Sequence, residues 1–330
     1  MNESRQADNA REAQVETKNL VKHFPQRAGF LGRNPRIVRA VDGVSLKIEH
    51  KRTLGLVGES GCGKTTIGRC ILRLIEPTSG EVHFEGVDVL GLSGRQLRRM
   101  RRDMQMVFQN PYSSLDPRMS VLSIVGEPIQ THSSLSHSEM RDRVVELLEQ
   151  VGMSGDHIYR YPHEFSGGQL QRIAVARALA LNPKFLVLDE PTAALDVSVQ
   201  AQVIAQLMEL QRELELTYLF ISHNLTLVHY VSDTIAVTYL GRIIEHASSD
   251  AVFDNPIHPY TQALLSATPS LDRDLRQQRV ILTGGVPDPA NPPPGCVFHP
   301  RCSRAKDKCA RLAPELLDMG NGHLVACHEE

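Results

Sequence analysis

Eight residues near the first fifth of the chain carry the clearest chemistry. Gly58-Glu59-Ser60-Gly61-Cys62-Gly63-Lys64-Thr65 fits the pattern G-x-x-x-x-G-K-[ST]. Glycines at this spacing let the backbone bend until several N–H groups converge on phosphate oxygens. Lys64 adds a point charge at the β and γ phosphates, and the Thr65 hydroxyl is a Mg²⁺ ligand. The helix expected from Lys64 onward, with Thr66 in its first turn, points its positive end at the same place. Further along, Phe185-Leu186-Val187-Leu188-Asp189-Glu190 reads as a buried strand ending in two carboxylates. Asp189 is suited to hold Mg²⁺, and Glu190 to polarise an attacking water as a general base. Gln109 follows MQMVF, His223 follows YLFIS, and Asp196 trails the carboxylate pair. Ligands of open parallel sheets bind at the carboxyl ends of the strands, so all three are candidates to face a nucleotide. A second helix start fit for an anion lies at Ser166-Gly167-Gly168-Gln169, within FSGGQLQR.

The elements that must position these groups are legible in outline. Val44, Leu46 and Ile48 alternate like a half-buried strand, and Thr53–Val57 is a short apolar run leading into the glycine-rich loop. A helix is expected over Lys64–Ile75, stopped by Pro77. Residues 110–180 read as an inserted helical subdomain, with Val144, Leu147, Leu148 and Val151 on one face. Apolar strands then alternate with helices to about residue 240, which predicts an α/β fold with a mainly parallel core sheet covered on both faces. Residues 1–17 read as a disordered N-terminus and 18–267 as the main domain. DPANPPPG (Asp288–Gly295) is a rigid connector. The extension 268–330 is too short for a core of its own and calls for a staple.

Composition bounds the rest. The chain has 330 residues, a formal net charge of -2, 41% hydrophobic and 22% charged residues, as expected of a globular protein with no nucleic-acid partner. The basic run Arg98-Arg99-Met100-Arg101-Arg102 reads as a solvated helix face. The N-terminus is polar, without the apolar core of a signal peptide. No stretch approaches the ~18 apolar residues of a spanning helix, so any work at a membrane is done from its side.

In order, GESGCGKT, Gln109, FSGGQ, FLVLDE, AALD (Ala193–Asp196) and His223 resemble an ATP-binding cassette (ABC) ATPase. The resemblance covers roughly residues 17–267. It implies that Gln109 senses the metal and γ-phosphate and relays to a membrane partner. It implies that His223 contacts the γ-phosphate and that Asp196 signals across a dimer. Ser166, Gly167, Gly168 and Gln169 would close over ATP bound by the partner, so each site takes parts from two chains. The family signature usually begins with Leu; here Phe165 stands in its place. The family also stacks an aromatic on adenine, and Phe24 in VKHFP is the candidate.

NPIHPYTQALLSATP (Asn255–Pro269) and the later GCVFHPRC and HLVAC are similar to the ends of ATPase subunits of dipeptide and oligopeptide permeases. The resemblance implies an ATPase at the cytoplasmic face of the bacterial inner membrane that powers peptide import. Its partners would be a related ATPase subunit, two transmembrane permease subunits and, indirectly, a periplasmic or lipid-anchored peptide-binding protein. The competing readings are import of nickel or another small solute, a soluble ABC ATPase acting on ribosomes or DNA, and a regulatory subunit without turnover. A single phosphate loop and the absence of a heptad repeat in the insert argue against the soluble classes. The presence of both Glu190 and His223 argues for hydrolysis.

Four of six cysteines, Cys296, Cys302, Cys309 and Cys327, fall at the C-terminal end with spacing C-x5-C-x6-C-x17-C. Disulfides do not suit the reducing compartment that ATP hydrolysis implies. Four thiolates suit Zn²⁺ or an iron–sulfur cluster, and His299, His323 and His328 are nearby alternatives around zinc. The permease resemblance implies a [4Fe–4S] cluster. Cys62, inside the phosphate loop near a helix N-terminus, is expected to have a lowered thiol pKa.

Overall fold

In the computed structural model, residues 13–28, 34–193, 195–267, 282 and 284–328 are described. The expected disorder of residues 1–12, most of 268–283 and Ala194 of the AALD run lie outside the described residues. Residues 13–17, read in the sequence as the end of a disordered segment, instead begin a strand.

Two sheets share the molecule. β1 (Ala13–Ala28) and β2 (Asn34–Glu49) form a long antiparallel hairpin, extended by β4 (Ser79–Phe84) and β5 (Val87–Asp88) in the order β2-β1-β4-β5. The larger sheet contains β3 (Thr53–Val57), β6 (Met104–Val107), β7 (Phe185–Asp189), β8 (Thr217–Ser222), β9 (Thr234–Tyr239) and β10 (Arg242–Ser248). Two short strands, β11 (Leu317–Asp318) and β12 (Leu324–Val325), complete it in the order β11-β12-β10-β9-β3-β8-β7-β6. The five strands from β9 to β6 run parallel, and β10, β12 and β11 add antiparallel at one edge.

The strand sequences explain why both faces are covered. Side chains alternate across a strand. On β7, Leu186 and Leu188 face one core while Phe185 and Val187 face the other; on β8, Tyr218 and Phe220 oppose Leu219 and Ile221. One core joins the sheet to the helical layer, the other joins it to the antiparallel hairpin and α1 (Lys64–Ile71). The helix expected to run to Ile75 ends four residues sooner, because Arg73 takes a left-handed φ of 48° that closes the chain into a turn.

Between β4 and β7 lie α2 (Gly94–Met100), α3 (Pro111–Ser114), α4 (Val121–His132), α5 (His137–Gln150) and α6 (Gly167–Leu179). Val144, Leu147, Leu148 and Val151 on and just after α5 are fully buried, as their spacing predicts. After β7 come α7 (Val197–Glu213), α8 (Leu225–Val231), α9 (Ser249–Asp254) and α10 (Pro259–Ser266).

The C-terminal extension does not stand apart. Glu245 on β10 pairs with Val325 on β12, and Val297 and Phe298 are buried in the same core as the helical layer. Glu245, fully buried, accepts hydrogen bonds from the Ile257 and His258 N–H groups at 2.7 and 3.1 Å and lies 2.7 Å from His323 Nε2. One carboxylate thus ties the extension to the main body.

Candidate active site

The phosphate loop is shaped by close backbone approaches. Gly63 has φ 100°, and a Cβ there would stand 2.0 Å from the Ala40 carbonyl oxygen, so no other residue fits. Lys64 is buried in the loop, its Nζ donating to the Gly58 and Glu59 carbonyls at 2.8 and 3.0 Å.

Cys62 departs from the sequence expectation. Its thiol is 2% exposed, and burial pushes its pKa up despite Lys64 Nζ at 3.8 Å. The helix end is near, but desolvation of a thiolate outweighs it.

The metal-ligand candidates converge. The Thr65 hydroxyl donates to Asp189 Oδ1 at 2.8 Å. Asp189 is 1% exposed, and burial raises its pKa, an effect opposed by the Thr65 hydrogen bond and by Arg69. Two hard oxygen donors side by side beneath a phosphate loop fit Mg²⁺.

Gln109, Glu190 and His223 emerge just past the ends of β6, β7 and β8, which are neighbours in the sheet. Glu190 Oε2 accepts from Gln109 Nε2 at 2.9 Å, and Oε1 lies 3.2 Å from His223 Nδ1. Glu190 adopts a left-handed φ of 46°, and its N–H donates to the Ile221 carbonyl at 2.9 Å. This costly conformation turns the chain sharply after Asp189, so the two carboxylates serve different partners. The glycine-rich loop and these three side chains thus meet at the carboxyl ends of the parallel strands, the layout of a P-loop nucleoside triphosphatase.

Ser166 caps α6: its Oγ accepts from the Gln169 N–H at 3.4 Å, and Gln169 Oε1 accepts the Ser166 N–H at 3.0 Å. A Cβ on Gly168 would stand 2.5 Å from Val199 Cγ1, which explains glycine at the close approach of α6 and α7. Asp196 is exposed and caps α7, accepting from the Val199 N–H at 3.0 Å and the Ser198 hydroxyl at 2.7 Å, which hold its carboxyl below the usual range. Phe24 is 36% exposed on β1, with Lys22 Nζ 4.8 Å from its ring centre.

Sequence reasoning missed two residues that reach the loop from far along the chain, and a third, Tyr239, that contacts one of them. Tyr260 Oη accepts the Glu59 N–H at 2.9 Å, and Arg301 forms a forked ion pair with the Glu59 carboxylate at 2.6 and 3.1 Å. Tyr239 Oη lies 3.4 Å from Arg301 Nη1. An arginine between two cysteines in the extension was the only available signal.

No disulfide joins the cysteines of the extension. Burial pushes the Cys296 and Cys302 thiols up; Cys309 and Cys327 add to this in both cases, and Cys302 does so at Cys296. The Lys306 N–H donates to Cys309 Sγ at 3.5 Å. Among the described residues, no three His, Cys, Asp or Glu side chains are grouped as ligands of one metal ion. The nearby histidines are engaged elsewhere: His323 with Glu245, His299 Nδ1 with the Cys296 carbonyl at 2.8 Å, and His328 Nε2 with the Leu312 carbonyl at 2.9 Å.

Comparison with known proteins bears on this site. Residues 41–193 match the family described as ABC transporter, and residues 244–309 match the oligopeptide/dipeptide transporter C-terminal region. The oligopeptide transport ATP-binding protein AppF of Bacillus subtilis (strain 168) is 50% identical over 317 residues, 95% of this chain and 96% of the relative. The dipeptide transport ATP-binding protein DppF of Escherichia coli (strain K12) is 49% identical over 309 residues, covering 94% and 92%. The dimeric post-hydrolysis structure of the ATP-binding cassette MJ0796 bound to ADP and Pi has a TM-score of 0.63 at 29% identity, over 71% of this chain and 98% of that one. The chain belongs to the ABC transporter family, among the ATP-hydrolysing subunits of its oligopeptide/dipeptide branch.

Proposed function

We propose that this chain powers the import of di- and oligopeptides, working with a related ATPase subunit beneath two transmembrane permease subunits at the cytoplasmic face of the inner membrane. Peptide itself would be delivered by a periplasmic or lipid-anchored binding protein. The observation that carries this reading is full-length similarity, near 50% identity, to proteins named for oligopeptide and dipeptide transport. Among the described residues no helix is long and apolar enough to cross a membrane, so permeation falls to other subunits.

In the site, the loop Gly58–Thr65 (Gly58, Glu59, Ser60, Gly61, Cys62, Gly63, Lys64, Thr65), with Thr66, cradles the phosphates, and Phe24 stacks on adenine. Thr65 and Asp189 would hold Mg²⁺, with Gln109 sensing it; bound there, the ion would supply charge to neutralise the phosphates. Glu190 accepts a proton from water as its oxygen attacks the γ-phosphorus and the bond to the β–γ bridging oxygen breaks, releasing ADP. His223 and Gln109, both in contact with Glu190, orient that carboxylate and the γ-phosphate. Ser166–Gln169 close over ATP bound by the partner, and Asp196 signals across the dimer; the dimeric relative bound to ADP and Pi supports this arrangement.

In the extension, Cys296, Cys302, Cys309 and Cys327 would hold a [4Fe–4S] cluster. Support comes from the clustering of these four cysteines in the C-terminal segment and from the Lys306 N–H, which donates to Cys309 Sγ at 3.5 Å. Bound there, a cluster would join four points of a segment with little core of its own.

Copurification with untagged permease subunits, followed by ATPase assay in liposomes, tests the transport reading. Stimulation by peptides is expected; stimulation by nickel but by no peptide would favour the related solute importers instead.

A further inference from the structure

Glu59 places a carboxylate in the loop that must receive a polyphosphate. Its charge is met from 242 positions away by Arg301, whose Nη1 and Nη2 donate to Oε2 and Oε1 at 2.6 and 3.1 Å. The Arg301 side chain is 6% exposed, against 28% for Glu59. It projects from a 3-10 turn, His299–Arg301, held between Cys296 and Cys302. Phe298 at the head of that turn packs edge-on against Tyr239 and Tyr260, with ring centres 5.3 and 5.4 Å apart. Tyr260 in turn accepts the Glu59 N–H, while the Glu59 carbonyl accepts from Lys64. Every polar group of residue 59 is therefore occupied, two of them by residues beyond the cassette strands.

We propose that Arg301 is a positioning residue of the ATP site: it neutralises Glu59 and fixes that residue against the phosphate loop, so the C-terminal extension contributes directly to nucleotide binding. Without the arginine, an unpaired carboxylate is left in the loop to repel the triphosphate. The aromatic contacts of Phe298 already anchor the extension, so neutralisation is what the arginine adds. Arginine suits the task because its planar fork matches a carboxylate at two points.

The inference rests on the ATP-site reading above, and one experiment separates the two. Full-length protein carrying Glu190→Gln, purified anaerobically, is titrated with MgATP by equilibrium dialysis. This parent is expected to bind; failure to bind would sink the ATP-site reading and the inference with it. Arg301→Gln is expected to weaken binding about tenfold. Adding Glu59→Gln to Arg301→Gln is expected to restore affinity to within about threefold of the parent, a non-additivity that a purely structural arginine would not give. Arg301→Lys is expected to fall between, keeping the charge but not the fork. Glu59→Gln alone is the reference for the double variant, which is expected to match it within about twofold. Loss in Arg301→Gln that Glu59→Gln leaves unrelieved, or affinity of Arg301→Gln within about twofold of the parent at an unchanged thermal midpoint, would each overturn the proposal.

Discussion

The Thr65 hydroxyl donates to Asp189 Oδ1 at 2.8 Å, joining the end of the phosphate loop to the end of β7 across 124 positions of sequence. Each residue offers a hard oxygen donor, and the hydrogen bond sets the two side by side. Thr65→Ala should therefore raise the Mg²⁺ concentration for half-maximal ATPase by at least about tenfold. A Mg²⁺ titration at saturating ATP reads this directly, and an unchanged midpoint would count against the ligand assignment.

Glu190 is placed between Gln109 and His223 by a left-handed backbone turn. Glu190→Gln keeps the size but replaces one acceptor oxygen by an NH₂ donor and removes the base. Steady-state ATPase should fall by about 10²–10⁴-fold while MgATP affinity stays within a few-fold. Near-normal turnover would remove Glu190 from the role of general base.

Cys62 should be a poor target in the native protein, because burial raises its thiol pKa and hides it. Mass spectrometry after a brief iodoacetamide pulse should find Cys62 modified at least about tenfold more slowly than in urea-unfolded protein. Equal rates would show that the loop opens freely.

His246 and His258 are held neutral by burial, with pKa values lowered from 6.5 to about 4 and about 3. His258 Nδ1 accepts the Tyr260 N–H at 3.1 Å, a bond that requires the neutral ring. The unfolded chain takes up protons near pH 6.5 that the folded chain refuses until pH 4 or 3. Stability should thus be full above pH 6.5 and decline as the pH falls, by up to about 1.4 kcal/mol per pH unit for each histidine. Urea denaturation between pH 7.5 and 5 checks the slope; His246→Gln should flatten it.

The cysteine cluster makes a visible demand. Anaerobically purified protein should be brown, with iron and sulfide in [4Fe–4S] proportion, and each of Cys296→Ser, Cys302→Ser, Cys309→Ser and Cys327→Ser should bleach it. Colourless protein with stoichiometric zinc would end the iron reading.

The chemistry of the nucleotide site was open to reading because it lies in short segments whose local geometry is set by residue type. Glycines permit the loop at Gly58–Thr65, an apolar run buries β7, and serine caps α6. The strand ends that carry Gln109, Glu190 and His223 were also legible, since strand alternation and helix periodicity are properties of neighbouring residues. The same local logic overreached at Ile75, where a left-handed Arg73 ended the helix, and at residues 13–17, whose polarity hid a strand paired on both sides.

What only the tertiary structure decided are the relationships that depend on burial and on partners far apart in sequence. The direction of the Cys62 shift turned on how much water reaches the thiol, which no spacing reports. The extension proved to be part of the central sheet through Glu245 and Val325, because an edge strand accepts any complementary backbone brought to it. The pairing of Arg301 with Glu59 is of the same kind. By itself the sequence determined which residue types are suited to phosphate, metal and water; packing determined that Arg301 and Tyr260, from far along the chain, contact Glu59 in the glycine-rich loop.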